Sequence, residues 1–191
     1  MIHSSKVIAF PGFNSSSEST MILRKENFSE ERNTKKQVGY NSPLANKNEF
    51  SLVLADDDAD DRDLFEEAVR KLPTELTLKT VINGADLLKL LYSSERIPDF
   101  IFLDLNMPIK NGRECLEEIR SSQKLKHLIV IVYSTSSSTN DIEDTFQMGA
   151  NLYVCKPSSF KGIVEMISKI INMDWDNYKP KSCRKKYILT I

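Results

Sequence analysis

Phe50-Ser51-Leu52-Val53-Leu54-Ala55-Asp56-Asp57-Asp58 decides the fold, because a short and nearly continuous apolar run there halts abruptly at acids. A run without polar alternation fits a strand buried on both faces, as in a parallel sheet, better than one with a wet face. The ordered domain is predicted to begin at Phe50. After the acids, Leu64, Phe65, Ala68, Val69 and Leu72 recur at helical spacing, and the pattern stops before Pro73.

The same alternation continues down the chain. Leu76 to Val81 reads as a second strand, and Asn83 as the cap of a helix bearing Leu87, Leu88, Leu90 and Leu91. Asp99-Phe100-Ile101-Phe102-Leu103 is a third strand, ending at Asp104. Pro108 and the Asn111-Gly112 turn lead into a helix with Cys115, Leu116 and Ile119; Leu128 to Tyr133 is a fourth strand running into a Ser/Thr-rich loop. A helix over about Asp141 to Met148 is closed by Gly149, and Asn151 to Cys155 is a fifth strand. Phe160 to Ile171 is a last helix, with Ile163, Val164, Ile167 and Ile170 inward. Strands apolar on both faces, alternating with helices, imply an α/β fold: a parallel sheet covered on each side, with right-handed crossovers. Ligands of such sheets bind at the carboxyl ends of the strands. The polar residues expected there are Asp56, Asp57, Asp104, Ser134 and Lys156.

Residues 1–49 are rich in Ser, Asn, Lys and Glu with no apolar period, which predicts a disordered leader; Met21 within it is an alternative translation start. The domain is expected over 50–173, followed by a short basic tail over 174–191. That tail carries Lys179, Lys181, Arg184, Lys185 and Lys186 before Tyr187-Ile188-Leu189, and is expected to be a frayed terminus, with a small partner or nucleic-acid patch as the alternative. It is too short for a DNA-binding domain, so output is expected through docking on another protein. With Lys+Arg 26 against Asp+Glu 27 the net charge is -1, and no global field draws the chain to nucleic acid or an anionic membrane. Cys115, Cys155 and Cys183 show no metal or disulfide pattern, which fits a reducing compartment. His3 and His127 are isolated. No stretch is long enough to span a bilayer, and the expectation is a cytoplasmic protein.

Each strand-end residue taken singly reads as a helix cap, a turn residue or a solvated acid. Taken together, three carboxylates at one sheet edge would repel one another unless a cation neutralised them. Oxygen-only ligands point to magnesium, which keeps several waters and takes phosphate oxygens as further ligands. Lys156 is placed to offset the charge that a phosphoryl group brings.

Leu52-Val53-Leu54-Ala55-Asp56-Asp57-Asp58, Phe102-Leu103-Asp104-Leu105-Asn106-Met107-Pro108, the hydroxyl of Ser134 and the pair Lys156-Pro157 together resemble the response-regulator receiver domain, over about Phe50 to Met173. The resemblance implies a flavodoxin-like, doubly wound, five-stranded parallel sheet of strand order 2-1-3-4-5. It implies a two-component phosphorelay in which Asp104 takes a phosphoryl group from a histidine kinase or histidine phosphotransfer protein. Asp57, Asp104 and the Asn106 carbonyl would ligate Mg2+, and Asp56 would reach it through water. Lys156 and Ser134 would hold the phosphoryl oxygens, Lys156-Pro157 would be a cis peptide, and Asp58 would begin the following helix. Ser134 would move towards the phosphoryl group and Tyr153 turn inward behind it; a half-buried Tyr153 with a wet hydroxyl is the alternative. Ser134 stands where Thr is frequent in the family, which puts the strength of that coupling in doubt, and Asn106 and Ser136 stand at positions that tune phosphoryl lifetime.

The chain is thus expected to catalyse its own phosphorylation and dephosphorylation and no other reaction. A phosphorylation-independent docking scaffold is one competing reading. An aspartyl-phosphate phosphohydrolase is another, but it would need an acid where Asn106 stands. An FMN binder would need a neutral first loop in place of Asp56-Asp57-Asp58.

Overall fold

Phe100 and Phe102 face one side of the sheet and Ile101 and Leu103 the other, and all four side chains have no solvent exposure. That period-two division of an unbroken apolar run organises the domain. The computed structural model describes Lys47, residues 49–175, Asn177, Tyr178 and residues 186–191. The elements are β1 (Glu49–Ala55), α1 (Ala59–Lys71), β2 (Glu75–Val81), α2 (Gly84–Ser93), β3 (Phe100–Leu103), α3 (Gly112–Ser121), β4 (Ile129–Ser134), α4 (Thr139–Gln147), β5 (Leu152–Cys155), α5 (Phe160–Ile171) and β6 (Ile188–Leu189). The sheet is parallel throughout, in the order β2-β1-β3-β4-β5-β6.

Two cores lie on opposite faces. On one, Phe65, Ala68 and Val69 of α1 and Ile163, Met166, Ile167 and Ile170 of α5 cover Phe100, Phe102, Ile131 and Tyr133. Phe65 meets Phe102 edge-on, with ring centroids 4.8 Å apart. On the other face, Leu87, Leu88 and Leu91 of α2 and Leu116 and Ile119 of α3 cover Ile101, Leu103, Val130 and Val132. Helix starts are set by local polar chemistry. Asp58 caps α1 by accepting from the amides of Asp60 and Asp61, and Asn83 caps α2. Asn111 and Glu114 form a reciprocal capping box on α3.

Leu64 was expected inward but is 41% exposed. It lies at the edge of the α1 stripe, beyond the reach of the sheet. The expected leader falls outside the described residues except for Lys47 and for Glu49, which opens β1.

The tail departs most from expectation. Lys179, Lys181, Arg184 and Lys185 lie outside the described residues, but Tyr187-Ile188-Leu189 is neither frayed nor a free patch. Ile188 and Leu189 add a sixth strand alongside Tyr153 and Val154, so the expected order is retained and extended by one strand. Tyr187, with no exposed surface, is the anchor. Its carbonyl accepts from the Tyr153 amide at 2.7 Å, its hydroxyl donates to Thr145 Oγ1 at 2.8 Å, and its ring lies 5.1 Å from that of Phe146. The buried ring, its hydrogen bonds and the ladder to β5 together offset the entropy of ordering the strand.

Tyr187→Ala is expected to lower the unfolding free energy by about 3 kcal/mol in a urea titration. A frayed terminus would shift it by no more than about 0.5 kcal/mol.

Candidate functional site at the carboxyl edge of the sheet

Ladder hydrogen bonds run to the last residue of each central strand and so fix what lies just beyond. The Asp56 amide donates to Val81 O at 3.0 Å, Asp104 to Ala55 O at 2.9 Å and Lys156 to Ser134 O at 2.8 Å. Asp56, Asp104 and Ser134 are buried and Asp57 is exposed. Carboxylate oxygens of Asp56, Asp57 and Asp104 lie within 4.8 Å of one another. The loop after β3 is held in place from below. Gly112 starts α3 so close to it that an added Cβ would sit 2.1 Å from the Asp104 carbonyl oxygen, and the Gly112 amide donates to Leu105 O. The Asn106 amide donates to Asp104 Oδ2 at 2.9 Å.

The Lys156 ammonium enters this group of acids. It lies 2.7 Å from Asp56 Oδ2, 2.7 Å from Asp61 Oδ2 and 3.8 Å from Asp104 Oδ1, with the Tyr133 ring 5.5 Å away. Among the described residues no peptide bond is cis, so the expected cis Lys156-Pro157 is not found. The trans isomer, which X-Pro bonds favour by about 0.5–1 kcal/mol, already delivers the ammonium to the acids.

Burial pushes the carboxyls of Asp56 and Asp104 upward, and for both it outweighs the lowering effect of Lys156 and of backbone amides. Burial would lower the Lys156 ammonium, but the close approach of the Asp56 and Asp61 carboxylates wins and raises it. Asp56 Oδ2 is close to the ammonium yet off its hydrogen-bonding direction, and it is the one buried side-chain oxygen or nitrogen among the described residues without a hydrogen bond. A buried carboxylate oxygen so left, beside two further carboxylates, fits a hard divalent cation.

Ser134 is fully buried, and its Oγ accepts from the Ser136 amide at 3.3 Å. Tyr153 is already inside, with no exposed surface. Its hydroxyl donates to the Ser136 carbonyl at 2.9 Å, so it is neither half-buried nor wet. The Tyr187 ring, just before β6, lies 6.2 Å from it.

Comparison with known proteins agrees with this geometry. The sequence profile of the response regulator receiver domain matches residues 52–168, more than half of the chain. The chain belongs to the response regulator receiver family. Rcp1 of Synechocystis sp., a response regulator, is 30% identical over 134 residues, which cover 68% of this chain and 90% of that protein. The phosphorylated cyanobacterial phytochrome response regulator RcpA superposes with a TM-score of 0.60 at 31% identity, over 64% of this chain and 91% of that one. The Mn(2+)-bound form of Rcp1 also gives 0.60, at 26% identity, over 65% of this chain and 96% of that one. The flavodoxin-like fold and the role as a two-component receiver domain stand on these matches.

Two residues of this receiver's site were not singled out from the sequence. Asp61 binds the Lys156 ammonium, and Arg62 Nη1 donates to the Asp56 carbonyl at 2.8 Å. Both sit in the first turn of α1, where an acid reads simply as a complement to the helix dipole. The Cys115 thiol is pushed up to about 11 by burial and is unreactive.

Two outcomes follow for the metal-free protein. A carboxyl whose folded pKa is raised destabilises the fold once ionised, so the Asp104 contribution is fully present below its ordinary 3.8 and is lost as pH rises through the raised value. In EDTA, Asp104→Asn is expected to melt above wild type at neutral pH, and the gap should close as pH falls towards 4; thermal melts at a series of pH values check this. Ile109, 83% exposed, holds φ at 67°, a left-handed conformation that is costly for a β-branched residue. Ile109→Asn is expected to add about 1 kcal/mol of stability on denaturant unfolding.

Proposed function

We propose that this receiver accepts a phosphoryl group on Asp104 from a histidine kinase or a histidine phosphotransfer protein. The observation that carries the reading is the meeting of Asp56, Asp57 and Asp104 with the Lys156 ammonium at one strand edge. A carboxylate oxygen of Asp104 bonds to phosphorus as the bond from phosphorus to the donor nitrogen breaks, and the electron pair leaves with the imidazole. The Asp104 carboxyl accepts from the Asn106 amide, which holds it in one orientation for in-line attack. Lys156 moves onto the phosphoryl oxygens, as the Ser134 hydroxyl does on their other side.

Mg2+ is the proposed ion, held by Asp57, Asp104 and the Asn106 carbonyl with Asp56 behind it; it supplies positive charge against the clustered oxygens. The unsatisfied Asp56 oxygen and the manganese reported for the Rcp1 structure support a divalent cation. The chain is proposed to act on itself, not on a separate substrate, and to signal from the cytoplasm by docking on an output protein. No helix among the described residues is long and apolar enough to cross a membrane. Ser134 and Tyr153 are the proposed switch. Since the Tyr153 hydroxyl bonds the carbonyl of Ser136, whose amide donates to Ser134 Oγ, a pull on Ser134 reaches Tyr153 through one residue. The domain is taken to extend over 50–173 with the C-terminal strand docked on it.

Incubation with acetyl phosphate and Mg2+ is expected to add one phosphoryl mass to the wild type, labile to hydroxylamine, and none to Asp104→Asn. Intact-protein mass spectrometry reads this. A folded, magnesium-replete wild type that takes no phosphoryl group would mean that the fold serves docking alone.

A further inference from the structure

The Lys156 ammonium is shared between two carboxylates of different standing. Asp56 belongs to the cluster expected to face the cation, whereas Asp61 comes from the first turn of α1 and lies outside it. Both stand at 2.7 Å, while the nearest Asp104 oxygen is 3.8 Å away, beyond a hydrogen bond. Unlike Asp56 Oδ2, Asp61 Oδ2 is aligned as an acceptor for the ammonium. The Asp61 side chain is 33% exposed and that of Lys156 is 9% exposed, so water can take over the acid once the ammonium leaves.

From this we infer that Asp61 is a positioning residue that holds Lys156 in a resting place off Asp104 and competes with the phosphoryl group for it. The inference rests on the phosphoacceptor reading above. The competition has a physical basis. Phosphorylation must draw the ammonium from Asp61 onto the new oxygens, and the hydrogen bond lost to Asp61 is charge-assisted. Asp61 also adds a fourth carboxylate to a site that already holds Asp56, Asp57 and Asp104, which opposes an anionic phosphodonor. Its other plausible role is to complement the α1 dipole, a role that Asp60 in the same turn shares without any contact to Lys156.

The test is the rate of adduct formation with acetyl phosphate and Mg2+, followed by intact mass. In that reaction Asp104 oxygen bonds to phosphorus and acetate leaves with the electrons of the broken P–O bond. Asp61→Asn is expected to be phosphorylated about fivefold faster than wild type, the size of one partly exposed ion pair. Asp61→Glu, which keeps the charge, should return towards the wild-type rate, and Asp60→Asn should match it. In a Lys156→Met background the gain from Asp61→Asn should vanish, since the residue acts through that ammonium. Thermal melts establish that every variant is folded. A rate for Asp61→Asn equal to or below wild type, or a gain that persists without Lys156, overturns the inference and leaves the receiver reading intact. No adduct on the wild type overturns the phosphoacceptor reading and the inference with it.

Discussion

Central strands of a parallel sheet, buried on both faces, leave polar side chains no place except the strand ends, and the rest of this structure follows from that constraint. Helices cover Phe100 and Phe102 on one side and Ile101 and Leu103 on the other, so the chain reaches its first polar position only at Asp104. The same holds for Asp56 after β1 and Lys156 after β5. Acids thereby gather in a half-buried place where their repulsion is weakly screened. One ammonium, ringed by Asp56, Asp61 and Asp104, offsets only part of the charge. The remainder is what gives the edge its appetite for a cation.

The C-terminal strand ties this edge to the far side of α4. Tyr187 holds the Tyr153 amide and the Thr145 hydroxyl, and Thr145 in turn donates to the Asp141 carbonyl. The Asp141 carboxylate takes the Ser136 hydroxyl and Arg113, each at 2.5 Å. Ser136 also receives the Tyr153 hydroxyl and donates its amide to Ser134. A displacement at Ser134 therefore meets a continuous set of hydrogen bonds that ends in the added strand. Tyr153 lies inward because it is enclosed between that strand and the β4–α4 loop.

Where expectation and structure part, tertiary contacts account for the difference. The run of basic residues before Tyr187 is that of a solvated terminus, and composition there outweighed the three apolar residues that follow it. Those three find an open sheet edge at β5, which exists only after folding. The expected cis Lys156-Pro157 came from family resemblance, and the ammonium reaches the acids without it. Asp61 was hidden among neighbouring acids, all equally suited to a helix start.

By itself the sequence determined the order of elements and the edge at which the chemistry lies. Unbroken apolar runs ending in Asp56, Asp104, Ser134 and Lys156 are local patterns whose meaning does not depend on distant residues. The cap Asn83 was legible for the same reason, and Asp58, expected to begin the first helix, caps it. Only the tertiary structure decided which acids share the ammonium, that Tyr153 is enclosed, and that the C-terminus closes the sheet. Each of these joins side chains from segments far apart in the chain, Asp61 with Lys156 and Thr145 with Tyr187 among them. Burial and charge pairing at such contacts arise from packing, which no local period encodes.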